Sequence, residues 1–450
     1  MSLSKKLIQQ QLLKNRNEAS LSSVPPKAVD ESTSTLPLSK PSEIQSSLEK
    51  LRRRARGSQL DRDSLTLRLS NQDVFSESLD GNNSFLRRIS HSAFGLDDQQ
   101  GAAKIGRLIQ LLCRAETAVD SRSVAFVDTE TTGLSGGAGT VAFLVGVGRW
   151  TDSGFTVEQY LMRDYDQERA MLLALRESLA NTQALVTFNG KAFDIPLLQS
   201  RFVLARQRWP LVRVVHLDLL HPARRIWKLR LANCSLANLE RDVLGIEREN
   251  DIPGHLIPYV YFRYIRTRSP RGIRSILSHN RQDIETLARL TLRMGEIFSC
   301  QSGKDLDPVD LFSAGRYAHA LGERDLAILW NEAALQGGLP KNQELEARKT
   351  QAARLKEQKR YSEAAELWRD LTERSESFLE DIEEELAIHH EHRTRDLEEA
   401  LRVSERALAQ LQDRTMLKKW EHRRARVVRK LTRRVQAEET LLFRSLSSND

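Results

Sequence analysis

Cysteine is scarce. The 450 residues contain three (Cys113, Cys234 and Cys300), with no C-x-x-C and no even set. That argues against a disulfide framework and fits a reducing compartment, so a cytoplasmic location is expected. His216, His221 and His255 complete no metal-ligand spacing with any cysteine, which argues against zinc. Long apolar runs are also missing. Nothing approaches the roughly 18 consecutive apolar residues of a membrane helix, so no membrane partner is expected. The opening "MSLSKKLIQQQLLKNRNEAS" is positively charged but lacks an apolar h-region. What is present is ample apolar material, 40% of residues, in a chain long enough for two or three domains. The net charge of +8, with 69 Lys+Arg, favours an anionic partner without identifying it.

Residues 1–100 read as largely disordered. "SSVPPKAVDESTSTLPLSKPSE" is too rich in Ser, Pro and charge to offset its ordering entropy by burial. "SSLEKLRRRARGSQL" could form a short basic helix. From about Ser121 the pattern changes. "SVAFVDTET", "TVAFLVGVGRW" and "FTVEQYLM" read as three consecutive strands separated by Gly-rich or Asp-Ser-Gly turns. An amphipathic helix, the strand "ALVTFNG", the helix "DIPLLQSRFVLARQR" and the strand "VRVVHLDLL" follow, and then helices dominate. The fold class is α/β, a mixed sheet flanked by helices. After about Asp305 no strand signal survives. "GERDLAILWNEA", "KRYSEAAELWRDL" and "TRDLEEALRVSERAL" align on Ala327, Ala365 and Ala400 at offsets of 38 and 35 residues. Such periods mark helix-hairpin repeats, here tetratricopeptide-like. Residues 303–450 are therefore read as an all-α repeat domain, with a place for a protein partner. Its basic end, "KKWEHRRARVVRKLTRR", reads either as the solvated face of a capping helix or as a nucleic-acid surface.

Two acids interrupt the first strand. Asp128 and Glu130 stand two apart and so share one face of it. Like charges side by side in a sheet core need a counter-charge, and hard oxygen ligands suit Mg²⁺ or Mn²⁺. A turn cap is the other explanation for one of the pair. Asp194 lies at a strand–helix junction, where an N-cap would account for it equally. Asp283 and His279, four apart, share one helix face, which could be a plain polar surface.

Taken in order, "FVDTETTGL", "FNGKAFDIPLL" and "HNRQD" resemble the three motifs of the DEDD exonuclease superfamily, on the ribonuclease H-like fold. "GGAGTVAFLVGVG" and "IPGHLIPYVYFRY" are similar to the YprB-type ribonuclease H-like domain, which tetratricopeptide-like repeats can follow. The resemblance covers roughly residues 120–300 within a nuclease domain placed at 101–302. It implies four metal-binding acids (Asp128, Glu130, Asp194 and Asp283) holding two divalent ions across a phosphodiester. It implies that His279 orients or deprotonates the attacking water. Superfamily members with histidine usually carry it five residues before the last Asp, and members with tyrosine four; His279 stands at the tyrosine spacing. The stretch Thr131, Thr132, Gly133 and Leu134 would line a pocket for the terminal nucleotide, or be a plain turn. Asn189 would contact substrate or close its own turn. Asp218 reads as a supporting residue near the sheet. His255, in the family-like "IPGHLIP", is placed near the cleft. Arg263, Arg266, Arg268, Arg271 and Arg274 could neutralise phosphates or simply be solvated. The expected function is a metal-dependent nuclease, a 3′-to-5′ exonuclease on single-stranded DNA or RNA. The alternative is a nucleic-acid-binding scaffold that recruits a protein through the repeats.

Overall fold

A computed structural model describes residues 74–446, apart from 81–82, 93, 95–98, 118, 134–138, 153, 249–250 and 300–305. Leu134 and the basic segment near residue 52 lie outside the described residues. Seven strands form one sheet in the order β1-β2-β5-β4-β3-β6-β7. They are β1 (Val74–Asp80), β2 (Asn83–His91), β3 (Val124–Thr131), β4 (Ala142–Thr151), β5 (Gly154–Leu161), β6 (Ala184–Thr187) and β7 (Val215–Asp218). The pairings from β1 to β3 are antiparallel, and β3–β6 and β6–β7 are parallel. The three-strand meander β3-β4-β5 and the mixed sheet are those read from the sequence. The sheet also takes in two strands from the region read as lacking structure. In β2, "NSFLRRISH", charged residues interrupt the apolar ones, so it does not read as a strand alone; it gains its place by pairing with β5.

The first helices are α1 (Gln99–Cys113), α2 (Glu168–Leu179), α3 (Asp194–Leu204), α4 (Leu220–Trp227), α5 (Ile257–Thr267) and α6 (Ile273–Phe298). A short helix, Leu236–Leu239, and a wide turn, Glu240–Leu244, lie between α4 and α5. Strand β3 divides its side chains between two cores. Val124 and Phe126 pack in one with Ile284 and Leu287 of α6; Ala125 and Val127 pack in the other with residues of α2, α3 and α5. Asp128 and Glu130 continue the α6 side. A register shift between Glu130 and Thr131 re-aims the strand there, as bulges beside sites commonly do.

Helix α6 approaches the sheet closely because β4 carries glycine beneath it. A Cβ on Gly146 would stand 2.4 Å from Asn280 Oδ1, and one on Gly148 2.4 Å from Ile284 Cγ2 and 2.5 Å from Phe155 Cζ. Gly148→Ala should therefore lift α6 and cost about 1–3 kcal/mol, read as a lower midpoint in chemical denaturation. An unchanged midpoint would show that the helix gives way freely.

Beyond residue 305 come α7 (Pro308–Leu321), α8 (Arg324–Gly337), α9 (Lys341–Glu357), α10 (Tyr361–Arg374), α11 (Glu380–His389), α12 (Leu397–Gln410) and α13 (Arg414–Leu446). Ala327, Ala365 and Ala400 fall on α8, α10 and α12, the second helix of three successive hairpins, as the offsets imply. The junction with the sheet domain is not a break between cores. Leu311, Phe312 and Trp330 belong to the same buried cluster as Phe126 and Ile284. Trp330 Nε1 donates to Ile297 O at 3.1 Å, and Arg230 forks onto the buried Asp310 at 2.6–2.9 Å. Much of the terminal charge is neutralised within α11–α13. Arg423, Arg426 and Lys430 converge on the buried Glu391. No described helix is long and apolar enough to cross a membrane.

Candidate active site

The acids meet at the end of β3. Asp128 is gripped from above by α6: Asn280 Nδ2 donates to its Oδ2 at 2.9 Å. Asn280 is itself fully buried and fixed by Gln159, whose Nε2 donates to Asn280 Oδ1 at 2.9 Å and to Leu277 O at 2.8 Å. Arg88 of β2 closes this chain, Nη1 donating to Gln159 Oε1 at 3.2 Å. The added strand β2 thus supports the site through three polar side chains.

Glu130, His279 and Asp283 present ligand atoms all within 4.8 Å of one another. His279 Nε2 stands 3.9 Å from Glu130 Oε1 and 3.5 Å from Asp283 Oδ2, and the three side chains are 13–14% exposed. Asp194 comes from the opposite face. It opens α3 without capping it, since the cap position is Phe193. Its Oδ1 instead takes the Thr129 hydroxyl at 2.5 Å, so the N-cap explanation does not hold.

The four acids act on one another. Burial pushes the Asp128 carboxyl well up, and Asp283, Asp194 and Glu130 push it further. Burial does the same to Glu130, with added repulsion from Asp283, Asp194 and Asp251. Asp194 and Asp283 are also raised, chiefly by burial, with Thr129 pulling the first down and His279 and Arg248 the second. Raised carboxyls crowded in a half-buried site are what a bound cation would reverse. The donors, carboxylate oxygens plus one imidazole, suit a hard divalent ion.

Several residues at this site escape a reading of the sequence. Arg248 spans the cluster, bonding Asp283 Oδ1, Asp251 Oδ2 at 3.0 Å, and the buried Glu240. Asp251 Oδ1 meets His279 Nδ1 at 2.7 Å and so orients the ring. Asn280 lies beside His279 in the third motif, and its only sequence signal is that position, three residues before Asp283. Arg248 and Asp251 lie in "EREND", where nothing periodic marks them.

The other residues singled out from sequence separate into supports and surface. Asp218 is buried and accepts from the backbone N–H of Asn189 (2.7 Å), Lys191 (3.0 Å) and Leu220 (3.1 Å), fixing the turn that leads to Asp194. Asn189 sits at φ 63°, and so serves the turn. Thr131 Oγ1 donates to Gly133 O at 2.8 Å and Thr132 Oγ1 accepts from Val141 N at 3.0 Å, which makes this stretch a braced turn beside the acids. Arg268 bonds Asp164 and the carbonyl of Arg163, and Arg263 Nη2 donates to Arg271 O at 2.8 Å. Those two arginines tie α5 down.

The RNase_H superfamily profile matches residues 125–294, from β3 into α6. "Uncharacterized protein YprB" of Bacillus subtilis (strain 168) is 34% identical over 292 residues, 64% of this chain and 70% of the relative. The chain belongs to the YprB-type ribonuclease H-like family. Among solved structures, a family B DNA polymerase from Pyrobaculum calidifontis is similar at 12% identity and a TM-score of 0.30. That likeness covers 56% of this chain and 50% of the polymerase. At that score it carries no functional argument. The YprB-type fold and its acidic cluster support a nuclease.

Proposed function

We propose that this YprB-type chain is a metal-dependent exonuclease that removes nucleotides from the 3′ end of single-stranded DNA or RNA. The observation that supports it most is the crowding of Asp128, Glu130, Asp194 and Asp283, each carboxyl raised by burial. These four would hold two Mg²⁺ or Mn²⁺ ions. When bound, such ions neutralise charge on a phosphodiester and make water easier to deprotonate.

The chain's own residues set the rest. Asn280 fixes Asp128, Thr129 fixes Asp194, and Arg248 fixes Asp283. Held through Nδ1 by Asp251, His279 turns its Nε2 toward Glu130 and Asp283. There it can take the proton of an attacking water. The braced turn Thr131–Gly133 offers backbone groups to a terminal nucleotide. Phe193, 53% exposed beside Asp194, offers an apolar face for a base.

The test is an end-labelled oligonucleotide with Mg²⁺ or Mn²⁺, in linear and circular form. Wild type should shorten the linear strand from its 3′ end and leave the circle intact, and Asp128→Ala should leave both intact. Equal activity of the two proteins would remove the site. Cutting of the circle would make the enzyme an endonuclease.

A further inference from the structure

A second basic feature lies away from the acids, at the junction of the sheet domain and the helical hairpins. A groove of about 520 Å³ runs between α4 and α7, lined by Arg224, Arg225, Lys228 and Arg316, with Tyr317 and Leu229. No acidic side chain lines it. Elsewhere on this surface cations are commonly matched: Arg230 with Asp310, Arg293 with Glu296, Arg354 with Glu332, Arg406 with Glu383. Among the described residues, Arg224, Arg225, Lys228 and Arg316 have no carboxylate partner.

Two of the four are held in place by aromatic rings. The Arg225 guanidinium lies 5.6 Å from the centre of the Tyr317 ring, and that of Arg316 5.7 Å from Phe312. Tyr317 is braced edge-on against Phe298, and Phe312 is buried in the shared core. Such contacts hold the charges without neutralising them. Cations at the end of α4 also suit a helix C-terminus. That explains Arg224 and Arg225 but not Arg316, which projects from the facing helix.

The groove is tied to the acidic site through the chain that joins β7 to α4. Asp218, the last residue of β7, fixes the backbone of Lys191 just before Asp194, and α4 follows it directly. Cys113 of α1, donating to His216 O at 3.7 Å, lies within electrostatic reach of Lys191 on one side and Tyr317 on the other.

We propose that this groove binds the phosphodiester backbone of a single-stranded nucleic acid, holding the body of the strand whose end reaches the acids. It rests on the nuclease reading for the direction of the strand, and on the groove's own charge for the binding. The cations would contact phosphates and read no sequence. Leu229, 47% exposed at the rim, gives apolar surface to sugars or bases.

The experiment measures binding of fluorescein-labelled 20-nucleotide single strands, DNA and RNA, to the full chain in EDTA, where no turnover occurs. Wild type is compared with the triple variant Arg225→Ala, Lys228→Ala, Arg316→Ala, and with Arg316→Ala alone should the triple variant melt early. The triple variant should bind about 10- to 100-fold more weakly near 0.1 M salt. The slope of log K against log salt should fall by about 2, as three lost phosphate contacts imply for a single strand. An affinity and slope equal to wild type would overturn the groove. So would displacement of the strand by poly-glutamate as effectively as by unlabelled DNA, which would make the groove a general anion surface. Because no turnover is involved, a wild type that cleaves nothing would remove the nuclease reading and leave this result to be read separately.

Discussion

Asp128→Asn is expected to abolish cleavage while making the metal-free protein more stable. On the activity side, a metal-binding carboxylate supports several kcal/mol of transition-state charge stabilisation. At about 1.4 kcal/mol per decade, its loss should lower the rate by on the order of 10³-fold or more. On the stability side, burial holds the Asp128 carboxyl well up and three neighbouring acids add to it. The folded state therefore binds a proton more tightly than the unfolded chain. Stability from such a group is complete below the unfolded carboxylate pKa, about 4, and is lost as pH rises through the higher folded value. Asparagine keeps an oxygen for Asn280 Nδ2 and carries no charge. The melting temperature of the variant minus that of wild type, both in EDTA, should thus be small near pH 4 and grow to a few degrees toward neutral pH. Taking the difference cancels acids that titrate the other way, such as Glu391, which three cations hold down at about 2. Adding Mn²⁺ should reverse the order by stabilising wild type alone, since only a folded site with its carboxylates gains from the ion. A variant that melts below wild type at every pH, without metal, would show that Asp128 stabilises the fold by itself.

The four acids were legible in sequence through the order of three motifs resembling the DEDD superfamily, while local pattern alone left each of them a plain structural explanation. Asp128 and Glu130 interrupt an apolar strand at the period of two, and so had to share a face. Asp283 and His279 stand one helical turn apart in an otherwise amphipathic helix. What sequence could not give is what comes from other elements. Asn280 reads as one more polar residue of α6, yet it is fully buried and joins Asp128 to a chain ending at Arg88 of β2. β2 itself carries charges that make it look like a solvated segment, and its strand character comes from β5. The helical character of the C-terminal part was legible, but its fusion with the sheet core was not. Leu311, Phe312 and Trp330 carry no sign of which neighbour they bury against.

Arg248 carries the largest expected effect on stability. Its side chain is 12% exposed and that of Glu240 is 1% exposed. Glu240 accepts from Arg248 and from the buried Thr286 hydroxyl. Burial works against the charge of Arg248, but bonds to Glu240 and Asp283 outweigh it and lock the guanidinium in its charged form. Arg248→Met keeps most of the stem and leaves Glu240 buried without a counter-charge. Breaking one side of such a pair costs about 3–5 kcal/mol. Adding Glu240→Gln should restore most of that loss, because the uncompensated charge goes with it; a double-mutant cycle by urea denaturation reads the coupling. The acids respond as well. Arg248 pulls down both Glu130 and Asp283, so its removal lets their carboxyls rise further. The metal-free single variant should therefore lose stability more steeply than wild type as pH climbs above about 4. The same variant in Mn²⁺ should recover more stability than wild type does, because an ion then supplies the positive charge that Arg248 had supplied. Were Arg248→Met to unfold at the wild-type midpoint, with Glu240→Gln adding nothing, the guanidinium would be a bystander and Asp283 would need another explanation for its position.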